Sequence, residues 1–114
     1  MAFLRRLLAI EAAAFAAAAL VHTGVLVGGF EDPAAATAES IIGLVLAGAA
    51  VLAWSRPEWT RPVAIVAQGV ALAGSLVGLY LVVRGVGPST VPDVVFHVGI
   101  VATLAYGLVR AVRS

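Results

Sequence analysis

In the stretch VPDVVFHVGIVATLAYGLV, residues 91–109, an aspartate and a histidine four positions apart open an otherwise apolar run. On a helix, positions four apart differ in direction by only about 40°, so Asp93 and His97 leave the same face. Glu11 and His22 stand eleven apart in another apolar run, a spacing that differs by only about 20° and places them on one face with Phe15 and Ala18. Glu39 lies on a stripe with Gly43, Ala47 and Ala50, and Gln68 on one with Ala64, Ala71 and Ser75. Ionisable side chains inside apolar helices are costly, about 2.5 to 3.5 kcal/mol each at a helix centre when charged, so they face protein or water and take partners.

Three chemistries fit these residues. His22, Glu39, Asp93 and His97 offer two imidazoles and two carboxylates, a donor set suited to a divalent first-row ion such as zinc, manganese, iron or nickel. The same two histidines, His22 and His97, would suit a b-type haem held between two helices. Alternatively, Glu11 and Gln68 continue the polar line inward, and the whole set reads as a proton or ion path. Simple satisfaction competes with all three: Asp93 follows Pro92 at a helix start, where it would serve as a cap, and His22 could hydrogen-bond Glu39 across the helices. No phosphate loop, nucleophile elbow, dinucleotide fingerprint, zinc-protease motif or basic nucleic-acid stripe is present, so the chain carries no recognisable enzyme signature.

The elements that must position these residues are set by composition. Of 114 residues, 62% are hydrophobic and only 11% are charged, and the mean hydropathy is +1.09, well outside the range of soluble domains. The expectation is an all-α integral membrane protein: a single four-helix transmembrane bundle with short loops, its spans near 4–29, 33–54, 62–83 and 91–109. Each run meets the roughly 20 residues that a bilayer core demands. Asp32-Pro33 reads as a helix start, with Asp at the N-cap and Pro at the first position. Counting the helical rise from the span ends places His22, Glu39 and His97 about 9 to 10 Å deep on one side, Asp93 about 3 Å deep, and Glu11 about 16 Å further along than His22.

Arg5, Arg6, Arg56, Arg61, Arg110 and Arg113 fall on one side of such a bundle and Arg84 alone on the other. The positive-inside tendency then places both termini in the cytoplasm of a multi-pass cell-membrane protein, with Trp54 and Trp59 at the inner rim. Arg5-Arg6 followed by an Ala-rich run and Ala36-Thr37-Ala38 imitates a cleavable signal sequence, but the apolar stretch exceeds the usual signal core. The small-residue stripes and the Gly74/Gly78 pair predict close helix contacts, within the chain or in a homodimer. With the lipid bilayer as its surroundings, the chain could also be an accessory subunit that assembles into a larger membrane complex. The absence of cysteine removes disulfides and thiolate ligands.

Overall fold

The computed structural model describes residues 1–114 as four helices without strands: α1 Ala2–His22, α2 Pro33–Ser55, α3 Thr60–Val83 and α4 Val91–Arg113, with a 3-10 turn at Pro57–Trp59 before α3. Three segments, Pro33–Ser55, Pro57–Val83 and Val91–Arg113, are long and apolar enough to cross a membrane. The first helix has 21 residues but carries Arg5, Arg6 and Glu11, and falls outside that group. Only 25 of the 114 residues are buried, and Ile10, Leu44, Val51, Val66, Val77 and Val95 face outward. So much outward apolar surface calls for lipid rather than water around the helices.

Local chemistry sets the helix ends. Asp32 accepts a hydrogen bond from the Ala35 N–H at 3.2 Å, with Pro33 at the first helical position, as its sequence predicts. Pro57 stops α2, because the residue before a proline is pushed out of helical geometry. At α4 the N-cap is Thr90, whose side chain accepts from Asp93 N–H while the Asp93 carboxylate accepts from Thr90 N–H, a reciprocal capping box. Asp93 is thus the third residue of the helix, and it caps the helix as the reciprocal partner of the N-cap Thr90.

The first helix departs from the expected 4–29 span. It ends at His22, and residues 23–32 form a loop. Gly24, at φ +81°, takes a left-handed conformation that ends the helix, and the Glu31 side chain packs against it so closely that an added Cβ would lie 3.0 Å from Glu31 Cγ. Asp32 N–H donates to the His22 carbonyl at 2.9 Å and closes the loop at its base. His22 is therefore the last helical residue, level with the start of α2, rather than about 10 Å inside a longer helix.

The bundle is flattened, 43 × 25 × 16 Å across its Cα atoms. Helix α1 packs on α2, α2 on α3 and α3 on α4, whereas no Cα atoms of α2 and α4 come within 8 Å. The core is built from Leu4, Leu8, Phe15, Leu46, Ile100 and Leu104 with alanines of α2, α3 and α4. Glycine permits the closest approaches. A Cβ at Gly107 of α4 would lie 2.6 Å from Gln68 Oε1 and 2.8 Å from Leu7 Cδ2, and one at Gly74 would lie 2.9 Å from Ile42 Cδ1. Gly78 lies against His97, so both members of the Gly74/Gly78 pair make contacts inside this chain. Gly99, in contrast, has open space around it.

Candidate functional site: a carboxylate–imidazole–carboxylate bridge

His22 lies at the centre of the site. Its Nδ1 is 2.5 Å from Glu39 Oε1 on α2, and its Nε2 is 3.0 Å from Asp93 Oδ1 on α4. All three residues are buried, with exposures of 6%, 5% and 9%. Side chains tilt toward the N-terminus of their own helix, so His22 at the end of α1 leans inward while Glu39, about 9 Å along α2, leans outward to meet it. Asp93 is held from behind: its Oδ2 accepts from Thr90 N–H at 3.0 Å and from Thr90 Oγ1 at 2.7 Å, which leaves Oδ1 for the imidazole.

The arrangement fixes a proton count. A carboxylate only accepts, a neutral imidazole offers one donor and one acceptor, and an imidazolium offers two donors. Two hydrogen bonds among three groups therefore need two shared protons. Either an imidazolium lies between two carboxylates, or a neutral imidazole lies between one carboxylic acid and one carboxylate. Both forms carry a single net negative charge, and they differ only in where a proton sits along one hydrogen bond. Glu39 Oε2 has no partner and is the open end of the chain of groups.

His97 takes a different role. Its Nδ1 donates to its own helix, to the Asp93 carbonyl at 2.7 Å, and its ring meets Phe96 edge to face with centroids 5.6 Å apart. Together with His22, Glu39, Asp93 and Asp32 it lines a cavity of about 240 Å³ bounded by α2, α3, α4 and the turn at Val86–Pro88. The cavity occupies the gap between α2 and α4. Ser75 lines it from α3 with an unpartnered hydroxyl.

Glu11 and Gln68 form a separate pair, closer to the end of the bundle that carries Arg5 and Arg110. Both are fully buried, at 1% and 0% exposure, and the Gln68 amide donates to Glu11 Oε1. Glu11 Oε2 and Gln68 Oε1 remain without partners. Phe15 lies between this pair and the outer cluster on the shared face of α1, and packs edge to face on Phe96 with centroids 5.9 Å apart.

The four residues expected to meet thus divide: His22, Glu39 and Asp93 are hydrogen-bonded together, and His97 lines the same cavity without joining the bridge. No group of three or more His, Cys, Asp or Glu side chains is arranged to hold a metal ion. Both ring nitrogens of His22 face carboxylates, and the divalent-metal and haem readings find no support in the geometry. Thr90 was not among the expected site residues, although the spacing Thr90-Val91-Pro92-Asp93 carries the capping-box signal that places it.

Fold and site together define a multi-span helical membrane protein with a buried acid–histidine–acid bridge joining three helices. Comparisons with protein-family models, with characterised proteins and with solved structures yield no match.

Proposed function

We propose that this protein is a small multi-pass membrane protein that takes up and releases protons at the Glu39–His22–Asp93 bridge, with four helices in the bilayer and both termini in the cytoplasm. The observation that carries the reading is His22 hydrogen-bonded through both ring nitrogens to carboxylates of two other helices. Such a group holds two protons in two nearly equivalent placements, and a third can bind at Glu39 Oε2. Glu39 of α2 and Asp93 of α4 face His22 directly, Asp32 at the start of α2 and His97 of α4 line the cavity beside it, and Ser75 is the one polar side chain that α3 adds to that lining. Glu11 and Gln68 extend the path inward in this reading, with Phe15 and Phe96 as the apolar barrier between the two polar regions.

Nitrogen-15 NMR of histidine-labelled protein in nanodiscs tests the reading. His22 and His97 are the only histidines, so a His97→Gln variant isolates the His22 signals. The expected spectrum shows both ring nitrogens hydrogen-bonded and shifting together as the outer solution is acidified. A ring with one free nitrogen and no response between acid and neutral pH would overturn the proposal.

One observation favours a second reading, the accessory subunit. At the Trp59 end an apolar groove between α2 and α3 is lined by Val45, Ala49, Leu52, Val63 and Val66, a shape that would receive a partner helix. A purified protein whose His22 ignores pH, and which co-purifies with one membrane partner lost on Ala49→Trp substitution, would establish that role.

A further inference from the structure

The cavity beside the bridge has an unbalanced character. Three carboxylates, Asp32, Glu39 and Asp93, line it, no Arg or Lys does, and the two imidazoles are its only basic groups. With two shared protons the bridge carries one negative charge, and with the Asp32 carboxyl group beside it the cavity is lined predominantly by acidic side chains. Two of its polar side chains are more than nine-tenths buried and lack a partner: Glu39, at 5% exposure, through Oε2, and Ser75, at 4%, through Oγ. Buried polar atoms normally have a partner, and these two side chains stand in the cavity wall without one. The remaining wall is apolar and aromatic, with Ile42, Leu81, Ile100 and the rings of Phe15 and Phe96.

We infer that this cavity binds a small organic ammonium ion, its charged nitrogen at Glu39 and Ser75 and its apolar body against Phe15, Phe96 and Ile100. An ammonium group brings donors and a positive charge without requiring the ligand polyhedron of a metal, which these residues do not form. Aromatic walls attract organic cations through the ring face and shelter an apolar tail. A volume of about 240 Å³ lies just below the range of drug-sized sites, about 300 Å³ and upward, and selects a ligand with one ring or a short chain. The inference rests on the same cluster as the proposed function but not on proton movement within it.

The test is a calorimetric titration of the full chain in phosphatidylcholine nanodiscs, corrected with empty nanodiscs, using three probes of similar shape: phenethylammonium, 2-phenylethanol and phenylacetate. The expected result is saturable binding of the ammonium to one site, at least tenfold weaker binding of the alcohol, and none of the carboxylate. Glu39→Gln should weaken the ammonium at least tenfold while leaving the alcohol unchanged. Because that variant also alters the bridge, the wild-type protein supplies a second reading: the ammonium should shift the NMR resonances of His97, Ile42 and Ile100 and leave those of Trp54 and Trp59 in place. Equal affinity for ammonium and alcohol, or shifts spread over both ends of the bundle, would overturn the inference. Failure here with a pH-responsive His22 removes the ligand and keeps the proton site; the converse result removes the proton site and keeps the ligand.

Discussion

His22 shows how much one side chain can be asked to do. Removing one member of a buried charged group leaves the others uncompensated, at a typical cost of 3 to 5 kcal/mol. The expected outcome for His22→Ala is a loss of about 3 kcal/mol or more in detergent unfolding, and His22→Gln, which cannot share a proton in the same way, should recover only part of it. The meeting of His22 with Glu39 was legible from depth and helix direction, because both lie near one end of antiparallel helices on small-residue faces. Its exact level was not: counting apolar residues carried α1 through Gly24 to Gly29, whereas a single left-handed glycine ended it at His22. The role of His97 was hidden for another reason. A histidine four residues after a carbonyl on the same helix can satisfy itself locally, as His97 does with Asp93, and residue type and spacing do not distinguish that choice from a contact across the bundle.

At the scale of elements, helix ends and close approaches make separate claims. Thr90 caps α4 and also orients Asp93, so Thr90→Ala should cost about 1 kcal/mol as a lost cap and should in addition disturb the His22 nitrogen signals. Thr90→Ser, which keeps the hydroxyl, should restore both, measured by thermal unfolding and by the same NMR spectrum. The contact of α3 with α4 depends on Gly107. With Gln68 Oε1 at 2.6 Å and Leu7 Cδ2 at 2.8 Å from the position of a Cβ there, Gly107→Ala should destabilise by about 1 to 3 kcal/mol as an overpacked site. Gly99→Ala, which meets nothing within 4 Å, should be neutral or slightly stabilising because alanine favours the helix. The stripes of Glu39 and Gln68 are legible as inward faces, since small residues mark contact wherever lipid removes the hydrophobic drive for helix association. The close contact at Gly107 of α4 is not, because it lies more than two turns from the polar pair at the start of that helix.

For the whole molecule, the four antiparallel helices gather Arg5, Arg6, Arg56, Arg61, Arg110 and Arg113 at one end and leave Arg84 at the other. Several of these guanidinium groups are held at that end: Arg5 lies over Trp54 at 5.0 Å and Arg110 over Phe3 at 4.5 Å, and Arg61 donates to the Val112 carbonyl at 3.1 Å. Since the native chain has no cysteine, single replacements report topology without background. In intact cells a membrane-impermeant maleimide should label Ser89→Cys and leave Ser114→Cys unlabelled until the membrane is opened; the reverse pattern would invert the proposed orientation. Composition made the helical class and the charge asymmetry legible. It could not reveal that α2 and α4 stand apart, because that depends on which small faces find each other in three dimensions.

That separation has a thermodynamic consequence. Two helices with no Cα atoms within 8 Å of each other are nonetheless linked by a single imidazole, so the hydrogen bonds of His22 give Glu39 a direct route to Asp93. Distant, independent sites give additive substitutions, and groups within one network do not, departing by about 0.5 to 3 kcal/mol. A double-mutant cycle with Glu39→Gln and Asp93→Asn should therefore show non-additivity in the His22 background and lose it when His22 is replaced by alanine. If the proposed proton site holds, the imidazole couples these two helices, and its protonation sets how strongly each senses the other.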